Sequence, residues 1–155
     1  MSNQTPANDQ DPFNLERFVV AQDGAYERAA QEVRAGRKVS HWMWFIFPQV
    51  AGLGFSDTSR RYAISGLDEA RAYLAHPILG PRLEAISRIL VEGVPGLDPP
   101  PSAVAIFHET DAMKLRSSMT LFALAAEPQP GVFRHVLDVY FDGREDERTV
   151  ALVRG

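Results

Sequence analysis

The chain has no cysteine among its 155 residues, and that absence excludes thiol catalysis, cysteine-ligated zinc, iron–sulfur clusters and a disulfide framework. Long apolar runs are missing too. None approaches the roughly 18 residues of a membrane-spanning helix, and the opening MSNQTPANDQDP has neither a basic nor an apolar stretch of the kind a secretory signal carries. The cytoplasm is the expected compartment, with no membrane partner. Nor does either sign of charge dominate. Twenty acidic residues face 16 basic ones, and residues 1–75 hold nine and eight of these, so there is no basic arm or acidic tail and nucleic acid is not an expected partner. What is present is an ordinary globular balance, 45% hydrophobic and 23% charged. A chain of this size buries roughly 68–70% of its unfolded surface, which permits a core without metal or disulfide staples.

Residues 1–10 are polar and read as a loose tail, leaving residues 11–155 as a single domain. Asp11-Pro12 is placed to cap and open a first helix carrying Phe13, Leu15, Phe18 and Val19. Tyr26, Ala29, Ala30 and Val33 resume a helical period that ends at Gly36. Residues 42–47 (WMWFIF) are apolar on every face, so periodicity does not choose between helix and strand. Residues 49–54 (QVAGLG) read as a loop, Ser56 or Asp57 as a cap, and Ser65 with Asp68 as a capping box. His76-Pro77 closes that helix. Residues 78–92 carry a continuous apolar stripe, with Glu84 and Arg88 as an exposed pair one turn apart. After the breaker-rich residues 93–101 (GVPGLDPPP), helices are expected at 111–126, 132–141 and 145–153. The sum is a compact all-α bundle of about seven helices with short connections.

The strings SHWMWFIFPQ (40–49), GLGFS (52–56), YAI (62–64) and KLRSSMTLF (114–122), with DPFNLERFVVAQ and HPILGPRL, resemble the domain of unknown function 1810 family. The resemblance covers residues 11–154 and implies a mainly helical bacterial protein with no established activity, substrate or cofactor. Such proteins sometimes carry the label calpastatin, an animal protease inhibitor, and nothing in these residues matches it. The family pattern also implies a glycine close to Phe107, where this chain has IFHET at 106–110.

Three groups of residues break the pattern of plain core and plain surface. On the helix expected from Asp111, Lys114 and Ser118 fall in the arc that also holds Leu115, Leu121, Phe122 and Ala125. An ammonium there needs an acid such as Asp111, an exit to solvent, or a polar pocket. The bland alternative has Asp111 as a cap and Ser118 bonded back to the carbonyl of residue 114. A Ser-Lys dyad using Ser117 or Ser118 is conceivable, without a nameable oxyanion donor. The second group, Gly52, Gly54, Ser56 and Arg60, suits an anion at a helix start, although its spacing matches no phosphate-binding fingerprint. The third is Ser40, His41, Trp44 and Gln49 around the tryptophan segment. If that segment is helical, Trp42 and Trp44 point about 200° apart and only one of them can face a ligand.

Two functions compete. In one, these segments and Tyr62 converge on a pocket for a small anionic, nucleotide-like molecule, with His41 as the available general base and the question of enzyme activity open. In the other, the same residues form a buried polar network in a non-catalytic interaction domain. Single-stranded nucleic acid held by Arg34, Arg37, Lys38, Arg60 and Arg61 is a weaker third reading. No metal or cofactor is expected: the four histidines show no metal-binding spacing.

Overall fold

Apolar spacing at 3.6 residues becomes helix throughout residues 10–154, the residues described by the computed structural model. The tail expected over residues 1–10 lies outside the described residues, except for Gln10. Among the described residues nine helices form rather than about seven: α1 (Glu16–Gln22), α2 (Ala25–Ala35), α3 (Met43–Ile46), α4 (Asp57–Arg61), α5 (Leu67–Ala75), α6 (Leu79–Glu92), α7 (Ala103–Ala125), α8 (Gly131–Phe141) and α9 (Glu147–Arg154). The segment whose type periodicity left open becomes the four-residue α3, and the helix expected after the cap at Ser56 or Asp57 is the five-residue α4, each too short to leave a periodic signature. Among the described residues there is no strand, only one parallel bridge between Val50 and Ile64, and no helix is long and apolar enough to cross a membrane.

The core gathers around α7. Its Leu115, Met119, Leu121 and Phe122 are fully buried, and it packs against α5, α8 and α9. Behind it α6 buries Leu79, Leu83, Ile86 and Leu90 against α2, α5 and α8. An aromatic cluster of Trp42, Phe47 and Phe107, in edge-to-face contact at 6.1–6.2 Å about Phe107, joins α3 to the start of α7.

Several helix starts differ from the expected ones, each for a local reason. Asp11 does cap, but its carboxylate accepts the amides of Leu15 and Glu16, so α1 begins five residues further on. The capping box at Ser65 and Asp68 does not form. The Ser65 amide donates to Glu69 instead, whose other oxygen pairs with Arg17 at 2.9 Å, and Asp68 points to solvent. Asp111 is not the cap of its helix. Ser102 caps α7 eight residues before the expected start, accepting the Ala105 amide, and the helix passes through a kink at His108. There the chain adopts φ 69°, ψ 169°, a region that side chains other than glycine's rarely enter. This is the stretch where the family pattern implies a glycine. The kink frees the carbonyl of Ile106, which accepts the backbone amide of Lys38 at 2.8 Å.

Glu32, on the last turns of α2, organises the segment that follows. Its carboxylate accepts the Val39 and Ser40 amides, the Ser40 hydroxyl and the Trp42 indole N–H at 2.6–2.9 Å. Burial pushes this carboxyl up, but those four donors outweigh it and hold it at about 2. Trp42 is thereby fixed in the core, 1% exposed.

Two measurements follow from these strains and bonds. His108→Gly relieves the backbone and raises the unfolding free energy by about 1 kcal/mol in urea titration, whereas His108→Ala brings no such gain. Glu32→Gln separates from the wild type most widely above pH 4.5, the ordinary value for this carboxyl, and the gap closes as pH falls toward about 2. A depressed carboxylate contributes stability only while it is ionised, so stability against pH is the readout.

Candidate functional site

Four segments are brought to one hollow. Gln22 of α1 donates to the Phe45 carbonyl at 2.8 Å and to the Tyr73 hydroxyl, which anchors α3 against α1 and α5. The loop after α3 is pinned by paired backbone bonds: Ile64 donates to the Gln49 carbonyl and Ala51 to the Ile64 carbonyl, both at 2.8 Å. Arg17 clamps the far side by donating to the carbonyls of Arg61 and Ala63 at 2.8 Å, and so positions Tyr62 between them. Glycines close the loop. Gly52 has φ 103° with Leu152 of α9 where a Cβ would stand, and a Cβ on Gly54 would meet Ser59 at 2.9 Å.

The hollow has two lobes that share Trp44, Gln49, Leu53 and Gly54. One, of about 120 Å³, is lined further by residues 50–52, Ser59, Arg60, Tyr62 and Ala63. The other, of about 210 Å³, reaches α7 and α9 through Thr110, Met113, Lys114, Ser117, Asp146 and Arg148. Because α3 is helical, the two indoles diverge: Trp42 enters the core and Trp44 is half-exposed at the hollow.

Lys114 is the charged centre. Its Nζ lies 3.6 Å from the centroid of the Trp44 ring and 3.2 Å from Asp111 Oδ1. The other Asp111 oxygen holds Lys38 at 2.8 Å, and Lys38 in turn donates to the Ser40 carbonyl and lies 5.0 Å from the Trp42 ring. Burial raises the Asp111 carboxyl, but hydrogen bonds and charge from Lys38 and Lys114 prevail and hold it below the usual carboxylate value. Lys38 is therefore committed inside the protein, which removes it from any nucleic-acid surface.

Of the candidates named from the sequence, Trp44, Gln49, Gly52, Gly54, Arg60, Tyr62, Lys114 and Ser117 line the hollow, with Asp111 behind Lys114. Ser40 does not line it; its hydroxyl is given to Glu32. Ser56 caps α4 by accepting the Ser59 amide, so that helix start is occupied rather than open to an anion. His41 lies on a different cleft, of about 370 Å³, beside Lys38, His108 and Glu109. Ser118 is fully buried, and its Oγ has no hydrogen-bond partner, including the carbonyl of residue 114. Ser117 bonds instead to the Met113 carbonyl and to Asp146. Neither serine meets Lys114, so a Ser-Lys dyad does not form.

The contributors missed at the sequence level are Arg17, Gln22, Glu32, Asp146 and Arg148, and Lys38, named there only for a nucleic-acid surface, pairs with Asp111 instead. Apart from Arg148, which lines the hollow without a side-chain partner, each acts through a partner beyond its own helical turn, and only the two alkyl-poor breaks at Gln22 and Glu32 in otherwise amphipathic helices signal a buried polar role. Among the described residues, no group of three His, Asp or Glu side chains is placed to hold a metal ion.

The family described as Protein of unknown function (DUF1810) matches residues 12–153. The chain belongs to the DUF1810 family. The crystal structure of the conserved hypothetical protein Rv1873 from Mycobacterium tuberculosis is similar at 48% identity and a TM-score of 0.87, over 94% of this chain and 99% of that one. No curated protein matches.

The shared carboxylate makes the two lysines unequal. Asp111→Asn strands Lys38, whose side chain is 7% exposed, and lowers stability by about 3 kcal/mol. Lys114→Gln leaves the Lys38 pair intact and costs about 1 kcal/mol or less. Urea unfolding of the two variants beside the wild type reads the difference.

Proposed function

We propose that this protein binds a small anionic, nucleotide-like molecule in the hollow between the residue 49–54 loop and α7. The observation that carries the reading is an amide with nothing to bond: the Gln49 side chain lines both lobes and has no hydrogen-bond partner among the described residues. Polar groups beside a cavity are ordinarily bonded within the protein, and the lining Ser59 and Ser117 hydroxyls and the Asp146 carboxylate are.

Three cations, Arg60, Lys114 and Arg148, surround the hollow, and Asp146 is the only carboxylate among its described lining residues. That carboxylate is occupied by Ser117 and by the Thr149 hydroxyl and amide. The charge balance favours an anion, which meets Lys114 as a charge-assisted donor already held in place by Asp111. Trp44 and Tyr62 supply flat faces, and Gln49 offers both a donor and an acceptor to a heterocycle edge. Lobes of about 120 and 210 Å³ suit a molecule of mononucleotide scale and not a polymer. No free general base lines the hollow among the described residues, since His41 sits on the other cleft, so the reading is of a binding protein.

A non-catalytic interaction domain is the second reading, favoured by one observation: Glu32, Ser40, Trp42, Lys38 and Asp111 form a continuous polar network that holds packing together. In that reading Phe55 and Met113, 74% and 68% exposed, offer apolar contact to a partner.

Thermal shift with a panel of nucleoside phosphates and sugar phosphates separates the two. Binding at a hundredfold excess over the dissociation constant adds about 2.7 kcal/mol, a readily visible rise in melting temperature. Gln49→Ala retains the unliganded melting temperature, since that amide bonds nothing, and loses most of the ligand-induced rise. A panel with no stabilising member removes the binding reading.

A further inference from the structure

The two lobes are equipped alike at opposite ends of the shared wall. Arg60, at one end, and Arg148, at the other, are both exposed, and neither makes an ion pair, hydrogen bond or ring contact among the described residues. Arg60 has a second resource beside it. The amides of Gly52, Leu53 and Gly54, three in succession, donate to no acceptor among the described residues, in contrast to that of Ala51. Consecutive free amides around a positive-φ glycine form the kind of concavity that takes an anion. Arg148 has Lys114 and the Thr110 hydroxyl in its lobe.

We infer that the hollow is a two-ended anion site. One anionic group sits on Arg60 and the loop amides of 52–54, a second on Lys114 and Arg148, and a sugar joins them while its base lies against Trp44 and Gln49. This rests on the binding reading above and narrows its ligand to nucleosides with phosphate-type groups at two positions of the sugar. A single anion satisfies one lobe and leaves the other cation unpaired, so the second group is what the remaining guanidinium selects.

Calorimetric titration at constant ionic strength tests this with adenosine 3′,5′-bisphosphate, the two adenosine monophosphates and adenosine, and with the guanosine and uridine sets. The bisphosphate of at least one base binds ten times or more tighter than either of its monophosphates. Arg60→Gln and Arg148→Gln, both without internal partners, keep the melting temperature and each bring that bisphosphate down to monophosphate affinity. Equal binding of bisphosphate and monophosphates, or either substitution without effect on the bisphosphate, overturns the two-ended site and leaves single-anion binding standing. Failure of every phosphate in the set to bind overturns both.

Discussion

The hollow exists in its present form because one carboxylate holds two ammonium groups. Asp111 stands three residues beyond the kink of α7, with one oxygen on Lys38 and the other on Lys114. Lys38 is nearly buried, carries the Trp42 ring on one side and donates to the Ser40 carbonyl. Through this pair α7 is registered against the segment that leads into α3, and the Lys114 ammonium is set over Trp44. Desolvating two ammoniums and a carboxylate is costly, and an apolar replacement of equal volume stabilises a fold as well or better. What the ionic arrangement supplies is position. A hydrophobic contact tolerates sliding, whereas two short contacts to one carboxylate define where the Lys114 Nζ stands.

The same segment divides its aromatic residues between structure and surface by helix geometry alone. One short turn, α3, sends Trp42 inward to Glu32 and Phe107 and leaves Trp44 at the hollow. The indole N–H of Trp42 needs an acceptor when buried, and Glu32 meets it while also holding the two amides before it. The Glu32 carboxylate is thus a template for an irregular stretch that has no helix or sheet of its own to satisfy its backbone.

Much of this was legible from residue types and spacing. The stripe at 78–92, the Gly36 stop and the breaks at residues 76–77 and 128–131 became α6, the end of α2 and the ends of α5 and α7, because each depends on neighbours within a turn or two. The placement of Lys114 on an apolar arc was legible for the same reason, since a helical wheel uses only local geometry, and the structure pairs it with Asp111. The first eight residues of α7 were not legible, since Ala103–Thr110 contains a conformation that its own side chain at His108 disfavours, and tertiary packing of Ile106 and Phe107 imposes it. Roles set by distant partners were equally hidden. Nothing near Arg17 in the chain announces Ala63 or Glu69, and Ser56 looked like an anion site until its cap bond was seen.

Polar groups in this fold fall into bonded and open sets, and the open ones around the hollow are what the proposed binding reading rests on. The hydroxyls of Ser40, Ser59, Ser117, Thr120 and Thr149 all have partners, as do the buried carboxylates of Glu32 and Glu69. The Gln49 amide, the Arg60 and Arg148 guanidiniums and three loop amides, which belong to the two lobes around Trp44, do not, and outside the lobes exposed guanidiniums such as that of Arg28 also face water. A network built for packing satisfies its members, because each orphaned buried group costs about 1–3 kcal/mol. Groups left open at a solvent-reachable hollow cost little, since water serves them, and they are free to bond something else. Ser118 is the exception, sealed in the core with its hydroxyl unpaired, and nothing in the structure explains it. The bonded network of Glu32, Lys38 and Asp111 and the open donors around Trp44 are two distinct sets of polar groups, joined at Lys114, which touches both.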